Sequence, residues 1–330
     1  MTVAAPAACL PAFDLSLRLL AAGGGLAVRA RTVLRTRDIV FADFRPEWLA
    51  SNLKFDLSLS AGGASEPSVR FSYNNFGESD AFRRKVESVF ASFKDGYDLK
   101  ALGRVLDAMQ PTTQRHQTTL GFEWGATSDS PRIKVYFEEL HHAYSLEERR
   151  SLARAVAHAA GGPVGRVPQE SIAAIAVDFF PDGRCDVKFY SLFRTFEELL
   201  ALPEVGEATA AIWRTSLSGL SRESRAFYYL TRRMSGGRIR SLKLYKIYEF
   251  AQFADFTPAR REIAELLVRW GCGVDLRRIE QLEALCRKNG GKLYPVIASV
   301  DVGPVGLLKV DTYFSIRASG AARSSHVGAG

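Results

Sequence analysis

Five times along the chain, two short strand-like runs are joined by a turn-rich loop, and the second run of each pair carries a cation. The second runs are Ser68-Val69-Arg70-Phe71, Arg132-Ile133-Lys134-Val135-Tyr136-Phe137, Asp186-Val187-Lys188-Phe189-Tyr190, Ser241-Leu242-Lys243-Leu244-Tyr245 and Leu308-Lys309-Val310-Asp311-Thr312-Tyr313. Side chains alternate between the two faces of a strand. One face of each run is therefore apolar, and the other bears Arg or Lys, mostly with Tyr. A cation repeated at this place in every pair points to an anion that it receives.

Between the pairs the periodicity changes to that of helices. Phe82, Val86, Val89, Phe90 and Phe93 share one helical face, and after the Asp95-Gly96 break Leu99, Leu102, Val105 and Leu106 share another. Leu146 to Ala160 reads as a helix stopped by Gly161-Gly162-Pro163, and Phe196 to Ser216 as a single helix. Thr257-Pro258 opens a helix that runs to Trp270, with a partner from Asp275 to Lys288. Asp182-Gly183, Ser235-Gly236-Gly237 and Gly303-Pro304 supply tight hairpin turns.

Ten strands in five antiparallel pairs, separated by helices, predict an α+β fold whose sheet closes on itself. The apolar faces pack on helices. The polar faces line a lumen too wide for side chains alone to fill.

At 330 residues the chain suits two ordinary domains or one large barrel. A formal net charge of +8 favours anionic small ligands, an acidic lipid surface or nucleic acid. Cys9, Cys185, Cys272 and Cys286 lack zinc-site spacing and read as reduced thiols of a cytoplasmic protein. No apolar run reaches the roughly 18 residues that a membrane helix needs. Residues 1–39 read as a partly flexible N-terminal segment and 318–330 as a disordered tail, leaving 40–317 for the barrel. His141-His142 is read as a plain loop pair at a strand end.

The Lys-x-Tyr strands, together with the number and order of the hairpins, resemble the ABBA, or prenyltransferase-barrel, family over roughly residues 40 to 317. That family has five αα-ββ units around a ten-stranded antiparallel barrel. Ile175 to Tyr190 and Leu307 to Ser315 are most similar to its small bacterial members that tailor peptides in cyanobactin pathways, a class of ribosomal peptide products. The resemblance implies that Arg70, Lys134, Lys188, Lys243 and Lys309 bind the diphosphate of a dimethylallyl or geranyl donor. It implies that Tyr136, Tyr190, Tyr245 and Tyr313 shield the allylic cation. Asp56 stands near the place where the family often carries a Glu that orients the acceptor, and Glu123 is a second candidate. Mg2+ enters only as a counterion of the diphosphate, since the sequence shows no dedicated metal cage and no Asp-rich DDxxD box.

The chemistry asks for these residue types. Fixed cations stabilise the leaving diphosphate in a water-poor site, and aromatic faces stabilise the carbocation. A carboxylate orients the acceptor and takes its proton. The implied acceptor is an aromatic or other nucleophilic side chain of a peptide, with a small indole or phenol as the alternative. Outside enzymes, two readings stand: a barrel that only holds an anionic small molecule, and a single-strand nucleic-acid binder with its cations on an open sheet face. No nucleic-acid or membrane partner is expected, and the sequence carries no signal of oligomeric state.

Overall fold

β1 (Leu53–Ala61) pairs with both β2 (Ser68–Asn75) and β10 (Gly306–Ala318), and this closes ten antiparallel strands into a barrel. The others are β3 (Gln117–Trp124), β4 (Arg132–Glu138), β5 (Ile172–Phe179), β6 (Cys185–Phe193), β7 (Ala226–Ser235), β8 (Arg238–Tyr248) and β9 (Gly291–Gly303). The order around the barrel follows the sequence, each strand pairing with its two chain neighbours. This computed structural model describes residues 53–61, 68–75, 79–93, 96–109, 116–124, 130–161, 172–217, 226–235, 238–248, 257–271, 273–288 and 291–318, with only the backbone for 53–81. The expected N-terminal segment and tail lie outside these residues, except that β10 continues through Ala318.

Helices occupy the gaps between hairpins. They are α1 (Ser79–Ser92), α2 (Leu99–Met109), α3 (Leu140–Ala143), α4 (Leu146–Ala159), α5 (Phe196–Leu200), α6 (Glu207–Leu217), α7 (Thr257–Arg269) and α8 (Gly273–Lys288). Capping boxes fix two starts, Ser145 with Glu148 at α4 and Thr195 with Glu198 at α5. The single helix expected over Phe196–Ser216 is two. Pro203 lacks the N–H and the ring clearance that a helix interior requires, and Gly206 follows it. His141 and His142 sit in the one-turn α3 rather than at a strand end, with ring centroids 3.9 Å apart.

The helices cover the outer barrel face in two apolar clusters. Val86, Phe90, Val105 and Val156 pack over Phe122, Val135, Val177 and Phe189; Trp213, Ile263 and Leu266 pack over Leu230, Leu244, Val300 and Phe314. This outer face is not wholly apolar. Lys246 is buried there and donates to Glu262 of α7 at 3.0 Å, and Arg232 pairs with Glu204 ahead of α6. Each of these two buried cations is matched by a carboxylate from the helix layer, which meets the requirement that buried charges be paired.

Two local devices set the register. Gly183 adopts φ +81° in the Asp182-Gly183 turn, a left-handed conformation that costs a glycine nothing. In β9, Pro295 faces Phe314 at a register shift, where its missing N–H breaks no regular ladder.

Candidate active site

Inside the barrel the side chains form successive layers. The strands' inward positions recur every second residue, so β4 presents Arg132, Lys134, Tyr136 and Glu138 in turn, and β6 presents Asp186, Lys188 and Tyr190. The cations lie toward the hairpin-turn end and the tyrosines one step deeper. All eight of the expected donor residues whose side chains are described share this lumen: Lys134, Tyr136, Lys188, Tyr190, Lys243, Tyr245, Lys309 and Tyr313. Arg70 lies opposite Asp56 on one side and Glu123 on the other, so the register brings these three together.

The tyrosines make a continuous belt. Ring centroids are 6.3 Å apart for Tyr136 and Tyr190, 6.2 Å for Tyr190 and Tyr245, and 6.2 Å for Tyr245 and Tyr313. All four come from second strands of hairpins, and the intervening first strands supply mostly small residues, with Tyr229 of β7 opposite Tyr245 and Ile297 of β9 opposite Tyr313 as the large ones. Ala174 and Thr231 flank Tyr190, and Ser299 flanks Tyr245. At Gly121 an added Cβ would stand 3.0 Å from a Tyr136 ring carbon, so glycine lets that ring lie against β3. Lys243 Nζ sits 4.8 Å from the Tyr245 centroid and donates to the Tyr313 hydroxyl at 3.1 Å.

Every cation of the upper layer whose side chain is described has a carboxylate partner. Lys134 donates to Glu123 at 2.5 Å, and Arg132 bonds the same carboxylate. Lys188 donates to Asp178 at 2.5 Å, with Arg132 at 3.3 Å from that group. Arg233 pairs with Asp186 at 2.5 Å, while Lys243 and Lys309 share Asp311, Lys309 at 3.1 Å. At the rim the Phe180 ring gathers three guanidinium groups, with Arg184 4.2 Å from its centroid.

These neighbours set the protonation states. Burial pushes the Asp178 carboxyl up, but the Lys188, Arg132 and Lys134 charges outweigh it and hold Asp178 well below the usual carboxylate range. Burial lowers Lys188 to about 8, opposed by Asp178 and reinforced by Arg132 and Arg233. The pair is therefore ionic at neutral pH.

Beyond the tyrosine belt lies a second polar layer. Glu138, the last residue of β4, accepts hydrogen bonds from Thr119 Oγ1 at 2.6 Å and Gln117 Nε2 at 3.1 Å. Burial, with the Glu138 and Glu139 charges adding to it, pushes the nearby Tyr229 hydroxyl up to about 12. Glu139 turns the chain out of the barrel in a left-handed conformation (φ 59°).

Glu123, expected beside the acceptor, stands instead between two cations of the upper layer. Arg132, Asp178, Asp186, Arg233, Asp301, Asp311 and Glu138 also occupy the inward face; the sequence suggests only a rim role for Arg233, with Arg232, in drawing an anionic donor to the barrel mouth, and assigns the others none. A signal existed: each lies an even number of residues along its strand from a recognised inward residue, or directly across from one. Among the described residues no three His, Cys, Asp or Glu side chains converge on a metal-sized site, nor is any helix long and apolar enough to cross a membrane.

No protein-family model and no curated protein matches the chain. Solved structures do share its architecture. The 5-dimethylallyltryptophan synthase from Streptomyces coelicolor is 16% identical, with a TM-score of 0.68 over 95% of this chain and 98% of that one. AnaPT from Neosartorya fischeri is 12% identical, with a TM-score of 0.68 over 92% and 91%. The 6-dimethylallyltryptophan synthase from Micromonospora olivasterospora, in complex with DMASPP and Trp, is 18% identical, with a TM-score of 0.59 over 80% and 82%. At such identities the likeness establishes a shared barrel fold.

Proposed function

We propose that the chain is a prenyltransferase that moves a dimethylallyl group from its diphosphate to an electron-rich aromatic acceptor, an indole above all. The observation that carries this reading is the pairing of a cation layer with an unbroken tyrosine belt inside one closed barrel. The donor's diphosphate lies among Lys134, Lys188, Arg233, Lys243 and Lys309, and its allylic chain reaches down past Tyr136, Tyr190, Tyr245 and Tyr313. The C1–O bond breaks, and diphosphate leaves with the electron pair. The tyrosine faces stabilise the cation at about 0.5–2 kcal/mol each. A ring carbon of the acceptor forms the new C–C bond, and the ring then gives its proton to the acceptor-side carboxylate, Glu138, and regains its aromaticity.

The acceptor lies on the far side of the belt, where Glu138 is the described carboxylate. Its Cα is about 13 Å along β4 from that of Lys134, room enough for the allylic cation between them. Glu138 accepts a hydrogen bond from the acceptor's N–H or O–H, in exchange for one it now takes from Gln117 or Thr119. Asp56, by its register position, is a further candidate for this role.

Several solved neighbours have tryptophan in their names or in their complexes, which supports an indole acceptor. A tryptophan side chain within a peptide presents the same ring, as does a small indole. The basic and aromatic residues face inward and helices cover the outer face, an arrangement poorly suited to stacking single-stranded nucleic acid.

The test is mass spectrometry of the purified chain with dimethylallyl diphosphate, with geranyl diphosphate in parallel. The acceptors are tryptophan, tryptophan dipeptides, longer tryptophan- and tyrosine-containing peptides and simple phenols. A dimethylallyl mass increment on an indole acceptor, abolished in Lys188→Ala, is expected. Binding of the donor with no product on any acceptor returns the barrel to a holding role.

A further inference from the structure

Asp178 of β5 and Asp186 of β6 are direct cross-strand partners on the inward face, which puts their Cβ atoms about 5 Å apart. They are almost completely buried, at 0% and 1% exposure. Like charges so placed repel, the more so away from water. Each carboxylate is paired with cations through one oxygen only. Asp178 Oδ2 accepts from Lys188 at 2.5 Å, with Arg132 at 3.3 Å, and Asp186 Oδ2 accepts from Arg233 at 2.7 Å. The other oxygen of each, Oδ1, is buried with no hydrogen-bond partner among the described residues. A buried carboxylate oxygen without a partner is an anomaly in a folded protein. Both atoms are enclosed, and a proton is the partner that needs no space of its own.

The charges around the pair come from every strand beside it. Arg132 and Lys134 of β4 and Lys188 of β6 act on Asp178, and Arg233 of β7 bonds Asp186. Glu123 of β3 takes up part of the β4 charge by bonding both Arg132 and Lys134. At the rim Arg184 lies over the Phe180 ring and pairs with Asp182. Beside Asp186 the Cys185 thiol, which burial pushes up to about 12, also feels Asp98 and Arg104 of α2. The Tyr190 hydroxyl below stays neutral. Within the lumen, then, four cations (Arg132, Lys134, Lys188, Arg233) stand against three carboxylates (Glu123, Asp178, Asp186), one net positive charge.

We infer that the donor is bound together with one proton, which Asp178 and Asp186 share through their Oδ1 atoms while Lys188 and Arg233 turn to the diphosphate. The inference rests on the prenyl-donor reading above. A diphosphate ester is close to a trianion at neutral pH. Added to a group with one net positive charge, it leaves two negative charges among buried residues, and uncompensated buried charge is costly. Its oxygens also draw off the cations that Asp178 and Asp186 rely on. Two facing carboxylates in that state cannot both stay ionised, and one proton held between them removes the repulsion. The proton comes from solvent as the donor binds and returns there when diphosphate leaves. Asp178 and Asp186 are thereby positioning residues: they hold Lys188 and Arg233 in place and give them up to the donor.

The experiment is calorimetric titration of the full chain with dimethylallyl thiolodiphosphate, a donor analogue that resists ionisation, at pH 7 in EDTA. Repeating it in buffers of different ionisation enthalpy counts the protons taken up per analogue bound. About one is expected. Lys188, lowered to about 8, is already charged in roughly nine molecules of ten at this pH and adds only about 0.1 proton. Asp186→Asn, a change of charge at constant shape, abolishes the uptake, because no facing pair of charges remains. Infrared difference spectra of the wild-type chain gain a protonated-carboxyl band when the analogue is added, a readout that does not depend on any variant folding. Binding without proton uptake and without that band overturns the inference and leaves the donor reading intact. Full uptake retained in a folded Asp186→Asn overturns the assignment to this pair. Failure to bind the analogue at all refutes the donor reading itself, and the inference falls with it.

Discussion

Tyr190 occupies the middle of the belt, with neighbouring rings 6.3 Å and 6.2 Å away and only Ala174 and Thr231 beside it on the flanking strands. Tyr190→Ala leaves a gap that neither small neighbour fills and removes one aromatic face from the path of the allylic cation. One such face contributes about 0.5–2 kcal/mol. At 1.36 kcal/mol per decade, that corresponds to a kcat lower by roughly 2- to 30-fold. Water entering the gap also traps the cation, so more dimethylallyl alcohol forms per prenylated acceptor. Tyr190→Phe keeps the ring and loses only the hydroxyl, which burial holds neutral. Its kcat and its alcohol fraction stay near those of the parent. The assay is steady-state kinetics with both products quantified by chromatography, after thermal unfolding shows both variants folded. Equal losses in Tyr190→Phe and Tyr190→Ala would refute the argument, because the hydroxyl and not the ring face would then carry the effect.

Gly121→Val pushes the Tyr136 ring off β3, since even a Cβ there stands 3.0 Å from it. Turnover falls while calorimetric affinity for the diphosphate stays within a few-fold; unchanged turnover would mean that the ring is not held against β3. Glu138→Gln raises the acceptor KM and spares donor affinity, and the opposite pattern would move Glu138 out of the acceptor layer. On the outer face, Lys246→Met strands Glu262 without its partner and costs about 3–5 kcal/mol in denaturant unfolding, whereas Lys246→Met with Glu262→Leu recovers most of it. Equal losses in the single and double variants would show that the ion pair is not what the site loses. Burial raises the Cys185 thiol to about 12, so at pH 8 about one part in 10,000 is thiolate. Native protein therefore alkylates there far more slowly than denatured protein, and equal rates by peptide mapping would show an accessible thiol.

Much of this architecture is legible in the sequence because strand alternation and turn chemistry are local. Arg-x-Lys-x-Tyr in β4 and Lys-x-Tyr in β6 and β8 put cation and ring on one face whatever the strand pairs with. Asp182-Gly183 marks its hairpin by backbone conformation alone. The split at Pro203 was equally local, a missed signal in plain view. Ten strands in five pairs, with one face apolar, leave closure as the solution that removes both sheet edges.

Which residues meet across the lumen is a different matter, because it depends on register between strands far apart in the chain. Asp311 reaches Lys243 across 68 residues of sequence. The facing of Asp178 and Asp186 exists only once β5 and β6 are paired. Glu123 looks like an acceptor carboxylate in isolation, and the barrel sets it between Arg132 and Lys134. The sequence by itself determined that a cation, mostly with a tyrosine, lines one face of every second strand, since a two-residue period needs no partner. Tertiary structure alone decided that those cations are nearly neutralised by carboxylates and that the tyrosines join into one belt, since side chains separated by tens of residues become neighbours only through the shared register of a closed sheet.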